Sequence, residues 1–251
     1  MEVITMAEPV FSYSLSRTRY MRMLIGTMVL LLILGVLKEI HVEANIGQGN
    51  LHPVLLKARS LFDLNGEQNI PSWFSTMNLL NCFLLTLVMA LAKKKAGEKF
   101  TFQWFVLALI FFFLSFDEAF AIHEELNAPL RSALGLGGVQ LIPDYTSLFY
   151  YAWIIPYGIG TSLIGILYIP FLRHLPRETR IGFLTAGALF VTGALILEAV
   201  EGWIQSAGVH RLIYISFYTV EELMEMGGII LFINALLVHM GQRWRVLAFQ
   251  L

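Results

Sequence analysis

Three short segments place acidic side chains among otherwise apolar residues: Ser115-Phe-Asp-Glu-Ala-Phe-Ala-Ile-His-Glu-Glu125, Glu198-Ala-Val-Glu201 and Glu221-Glu-Leu-Met-Glu225. Carboxylates are hard oxygen donors, and together with a neutral imidazole such as His123 they suit divalent ions. Helical spacing decides whether such groups can converge. At about 100° per residue, Tyr218, Glu221, Glu222 and Glu225 occupy one arc of a helix, and Glu198 and Glu201 lie about 60° apart on another. On a third helix Ser115 and Glu118 share a face, with Asp117 roughly 100° round. His123 points elsewhere on an ideal helix and reaches the same centre only if the helix end frays or bends.

Glu118, Glu198, Glu222 and Glu225 are the first candidate ligands, chosen for depth and shared faces. Asp117, His123, Glu201 and Glu221 would complete or support the shell. Ser115, Asn78, Asn81, Tyr218 and Glu39 are candidates for orienting a substrate or the ligands. The implied cofactor is one or two divalent ions, with Fe or Mn favoured and Zn or Ca also compatible. Helical-bundle dimetal sites combine Glu with a Glu-x-x-His pair. Here His123 follows Glu118 by five positions and Asp117 by six, so the match is to a class of chemistry rather than to a motif. A zinc site with three histidines is disfavoured, because His41, His52 and His210 fall at loops or stretch ends.

The elements that must position these residues follow from composition. The 251 residues are 57% hydrophobic and 14% charged, where soluble domains hold roughly 45–50% and 25%. Six apolar stretches, at about 21–39, 73–92, 102–123, 148–172, 181–203 and 213–239, are long enough to cross a bilayer as helices. Unbroken apolar runs such as Leu107 to Leu114 lack the alternation of barrel strands. The expected fold is an all-α integral membrane protein, one domain built as a six-transmembrane-helix bundle. A short helix is expected around residues 53–62.

Twelve of the 17 basic residues fall at the joints and tails of one side if the termini share that side, which places both termini in the cytoplasm. Fourteen of the 18 acidic residues fall on the other side or in that half of the spans, more than topology requires. Counting the helical rise from the cytoplasmic ends, Asp117, Glu118, Glu198, Glu221, Glu222, Glu225 and Glu39 all sit roughly 21–27 Å up. Lys38 is the one base at that depth and cannot neutralise them all. The rest must be protonated, solvated or metal-bound.

The expected location is a bacterial-type plasma (inner) membrane, with the site facing the periplasmic or extracellular side. Net charge of −1 gives no field for nucleic acid, and the single Cys82 excludes a disulfide framework. The leading functional reading is a metal-dependent membrane oxidoreductase or hydrolase acting on a lipid or other apolar substrate. One alternative is a proton- or cation-coupled transporter or sensor. Another is a non-catalytic subunit of a larger membrane complex, its acids paired with a neighbour's bases.

Overall fold

A computed structural model describes residues 16–45, 57, 59–135 and 150–243, which form helices and turns without a strand. Helix α1 (Arg17–Ala44) starts at Ser16, whose Oγ accepts the Arg19 amide at 3.3 Å. Helix α2 (Ile70–Lys95) opens with a capping box between Asn69 and Ser72, has Pro71 in its first turn and closes on three lysines. Each feature satisfies an orphan amide or complements the helix dipole. Residues 57 and 59–61 are helical, where a short helix is expected over 53–62; Phe62 is already in a turn, and 53–56 and 58 lie outside the described residues.

The third apolar stretch does not run unbroken to residue 123. Helix α3 (Thr101–Phe120) ends at Ala121, which adopts a left-handed conformation with φ 51°, and α4 (Ile122–Ala133) leaves in a new direction. The stretch at 148–172 is also divided: α5 (Ile154–Leu167) and α6 (Ile169–His174) meet at Tyr168, beside Pro170, which has no amide hydrogen to donate. Residues 148 and 149 lie outside the described set. In the fifth stretch, α7 (Arg177–Val191) passes through a π-helical turn (Thr192–Leu197) into α8 (Glu198–Ser206). Helix α9 (Arg211–Arg243) is the longest.

Among the described residues five helical segments are long and apolar enough to cross a membrane: Arg17–Ala44, Ile70–Lys95, Thr101–Phe120, Arg177–Gln205 and Arg211–Arg243. The 14-residue α5 is apolar but shorter. Large apolar side chains on the outside of the bundle, such as Ile33, Leu109 and Ile166, are exposed. Hydrocarbon solvent accepts such a surface, and water does not. A helical membrane protein is therefore the class that length, composition and surface together support.

Helix α9 is the spine of the bundle. It packs on α7, α2 and α1, while α2 and α3 form an antiparallel hairpin. Its close approach to α7 depends on small residues. A Cβ at Gly228 would stand 2.8 Å from the Phe190 backbone nitrogen, and one at Gly182 would stand 2.8 Å from the Ala235 Cβ. Between the helices Phe232 stacks on Phe183 with ring centroids 4.3 Å apart and tilts against Phe111 at 4.6 Å. Met89, Cys82, Ile233 and Leu236 complete a core with almost no exposure.

The two ends of the bundle carry opposite chemistry. At one end Glu98, in the turn between α2 and α3, bonds to Lys93 at 2.9 Å and to Arg243 at 2.7 Å. Trp104 there stacks on His239, whose Nδ1 lies 3.0 Å from the Thr179 hydroxyl. At the other end Arg211, opening α9, reaches Glu39 at 2.8 Å and Glu43 at 3.1 Å near the close of α1. Arg17 and Arg243 therefore lie toward the same end, because α1 and α9 run antiparallel. The acidic segments gather at the Arg211 end.

Candidate functional site

Two local irregularities and one loop bring the acids together. The left-handed Ala121 turns α4 so that His123 folds back on α3: its backbone amide donates to Asp117 Oδ1 at 2.9 Å, and its Nδ1 lies 3.4 Å from Asp117 Oδ2. The π turn at residues 192–197 advances the register of the helix just before Glu198, re-aiming Glu198 and Glu201 relative to α7. Gly193 within that turn lies against α9, where a Cβ would stand 2.8 Å from the Glu225 Cγ and 3.1 Å from the Glu221 carbonyl oxygen. The third contribution comes from the loop before α2. Leu64 packs on Gly35, Asp63 binds Lys38 at 2.8 Å, and Asn69 bonds to the Asp63 carbonyl at 2.6 Å, which fixes Glu67 over the same space.

The result is a cavity of about 980 Å³. Among the described residues its lining holds nine carboxylates, one imidazole, and no lysine or arginine. The donors fall into two close groups. Glu67, His123 and Glu124 each offer a ligand atom, as do Glu198, Glu201 and Glu221, and within each group these atoms lie within 4.8 Å of one another. Donors on one ion at about 2.2 Å stand at most about 4.4 Å apart, so small side-chain rotations would close either group. Glu201 and Glu221 are buried, and Glu221 Oε2 has no hydrogen-bond partner. Glu118, Glu222 and Glu225 line the same cavity and are near enough to interact electrostatically with one another and with Glu67.

His123 stands between acids on both sides. Its Nδ1 faces Asp117, its Nε2 lies 3.9 Å from Glu67 Oε1, and its ring rests against Trp153 at 4.7 Å. Asp117 is itself held, since Oδ1 also accepts the Tyr157 hydroxyl at 3.0 Å. This is how an acid fixes the tautomer of a ligating histidine while the other nitrogen stays free for an ion. Burial pushes the Glu67 carboxyl up to about 7; His123 partly opposes this, and the charges of Glu124, Glu198 and Asp117 add to it.

The candidates read from sequence separate into two sets. Asp117, Glu118, His123, Glu198, Glu201, Tyr218, Glu221, Glu222 and Glu225 all line the cavity. Their division of labour differs from the expected one: the close groups hold Glu198 with Glu201 and Glu221 rather than with Glu118, Glu222 and Glu225. Ser115, Asn78, Asn81 and Glu39 do not line it. The Ser115 hydroxyl donates to the Thr76 carbonyl at 3.0 Å, tying α3 to α2, and the Asn78 amide caps the Phe74 carbonyl at 2.8 Å. Asn81 bonds to the Tyr20 hydroxyl on α1. Glu39 is bound by Lys38 and Arg211, so its depth matches the other acids but its partners are bases of the rim. Lys38 bridges Glu39 and Asp63.

Two lining acids were absent from the sequence candidates. Glu124 follows His123 directly, and the helix break that turns the histidine inward carries Glu124 with it. Glu67 lies in the loop segment Asp63-Leu-Asn-Gly-Glu67, where helical periodicity has no power. Its one signal is position, two residues before the Asn69 cap of a helix that starts at the acidic end.

No curated protein and no solved structure matches this chain. One family model does, over residues 23–240, a range that takes in every helix from α2 to α8 and all the cavity acids. The chain therefore belongs to the family described as Domain of unknown function (DUF8692).

Proposed function

We propose that the chain is a metal-dependent membrane enzyme whose cavity acids hold one or two divalent ions and which acts on a lipid or other apolar substrate. The observation that carries this reading is the lining itself: nine carboxylates and one imidazole around one cavity without a lysine or arginine among the described residues. Like carboxylates this close cannot all stay ionised without cations or protons between them. The unpartnered, buried Glu221 oxygen supports this reading, since a bound cation would satisfy it. Oxygen-rich donors with a single imidazole favour Fe or Mn over an all-nitrogen or thiolate metal. Such ions can polarise a carbonyl or phosphoryl oxygen or activate a bound water.

In this reading residues 154–174 form the sixth crossing in two pieces, and the basic end of the bundle faces the cytoplasm by the positive-inside rule. The acids then open to the outer half of a bacterial-type plasma membrane. A transporter of protons or cations would use the same acids, but on α3 and α9 the lining beyond them, with Leu107, Ile110, Ile229 and Phe232, is apolar toward the basic end.

Elemental analysis of protein purified in detergent without chelator tests the proposal. Stoichiometric Fe or Mn is expected in the native chain, with most of it lost in Glu198→Ala combined with Glu221→Ala. Metal should also raise the thermal midpoint, as ligand at 100-fold above its Kd stabilises by about 2.7 kcal/mol. Protein that stays metal-free after anaerobic incubation with Fe(II) and Mn(II), with an unchanged midpoint, refutes it.

A further inference from the structure

The cavity is far larger than two metal ions need, and its chemistry changes along its length. On α3 the lining runs from Glu118 and Asp117 to Leu114, Ile110 and Leu107; on α9 it runs from Glu221 to Ile229 and Phe232. On the α7 to α8 segment it runs from Glu198 through Leu195 and Val191 to Ala186. All three walls thus turn apolar in the same direction. From Glu118 to Leu107, and from Glu221 to Phe232, the helical rise gives roughly 16 Å, about the thickness of one hydrocarbon leaflet. Toward that apolar end the lining rings of Phe111 and Phe232 lie 4.6 Å apart, and Phe183 stacks on Phe232 at 4.3 Å.

Two glycines show that this space is kept open. Gly193 and Gly228 are small because another helix touches them, but Gly187 on α7 and Gly160 on α5 line the cavity and a Cβ at either would meet nothing within 4 Å. Helix contact does not explain their size. On α5, Tyr157, Gly160, Thr161 and Ile164 face the cavity, whereas Ile159, Leu163 and Ile166 on the other side are exposed. The chamber is therefore separated from the bundle exterior by one thin helix.

We propose that the apolar chamber receives the straight hydrocarbon tail of a lipid, polar end at the carboxylates, and that Gly160 and Gly187 set the tail length accepted. The proposal names the substrate class of the site described above and rests on that reading only for the chemistry at the polar end. A chamber that is acidic at one end and apolar at the other matches an amphiphile lying with its head at the carboxylates. Its depth matches one tail rather than a bilayer-spanning molecule.

The test uses the full chain in detergent, stripped of metal, with a ladder of saturated 1-alkanols as probes and native mass spectrometry as the readout. Retention should rise with chain length and then fall once the tail exceeds the chamber. Gly187→Leu and Gly160→Leu should move the optimum to shorter alkanols, with affinity for the former optimum falling about fourfold for each methylene displaced. Gly26→Leu, on the exposed side of α1 where a Cβ also meets open space, should leave the optimum unchanged. A monodisperse, cooperatively melting variant is required for each comparison, and Gly187→Ala supplies a milder second variant at the more enclosed position. Retention without a length optimum, an optimum unmoved by both leucine variants, or an isoprenoid alcohol held more tightly than every straight alkanol overturns the proposal. Because no metal is present, the outcome is independent of the metal assay: length selection without bound metal in the native protein would keep the tail chamber and remove the metal centre, and the reverse pattern would overturn the tail chamber alone.

Discussion

Asp117 does three things with one carboxylate: it accepts the His123 amide, accepts the Tyr157 hydroxyl, and faces His123 Nδ1. Replacing it separates packing from electrostatics. Asp117→Asn keeps the size and can keep acceptors for the amide and hydroxyl, but removes the charge beside the imidazole. Metal affinity is expected to fall about 10–100-fold, the usual loss when the acid behind a ligating histidine is changed. The thermal midpoint of the metal-free protein should move little. Asp117→Ala leaves a half-buried amide and hydroxyl without acceptors, and should lower stability as well, by about 1 kcal/mol for each group that water does not reach. Competition titration with a chromogenic chelator, beside thermal unfolding of metal-free protein, checks both. Unchanged affinity in Asp117→Asn would show that His123 does not ligate through the nitrogen facing Glu67.

Helix identity and facing were legible in the sequence because apolar runs and the 100° increment carry both. They placed Glu198, Glu201, Glu221, Glu222 and Glu225 toward one interior. What was not legible is where helices stop being ideal. The left-handed Ala121 has no glycine or proline to announce it, and without that break His123 and Glu124 would lie off the site. The π turn changes which carboxylates meet, so that Glu201 and Glu221 join Glu198. Glu39 misled because depth along a helix is readable from one sequence, whereas its partner Arg211, 172 residues away, is not. Gly193 offers a test at this scale. Gly193→Ala forces the π turn off α9, where the nearest atoms include backbone, and is expected to destabilise by about 1–3 kcal/mol. It should also weaken metal binding, because Glu221 and Glu225 supply the contacts. Ala at this position with native stability and metal content would mean that the π turn does not set the site.

Across the whole molecule, the acidic end lines the cavity while the basic end ties helix ends together. Glu98 joins Lys93 at the end of α2 to Arg243 at the end of α9, and Lys93 in turn lies 5.7 Å over the Trp104 ring. Its hydrogen bonds from Arg243 and Lys93 lower the Glu98 carboxyl to about 2 from an ordinary value of 4.5. A depressed carboxylate contributes stability that is fully present above its unfolded value and lost as the pH falls through its folded value. The contribution of Glu98 should therefore be intact above about pH 4.5 and disappear toward pH 2. Glu98→Gln should be less stable than the native chain at neutral pH, and the gap should close across that window. The site is part exposed, so screening limits its direct Coulomb share to about 1 kcal/mol or less. The buried Lys93 adds to the loss in the variant, since it keeps its charge without its carboxylate partner. High salt should shrink the exposed Arg243 share more than the Lys93 share, because counterions reach only the former. Thermal unfolding of both chains in detergent from neutral to acidic pH, at low and high salt, gives the measurement. A gap that stays constant down to pH 2 would mean that Glu98 holds the basic end through packing and neutral hydrogen bonds, not as an ion.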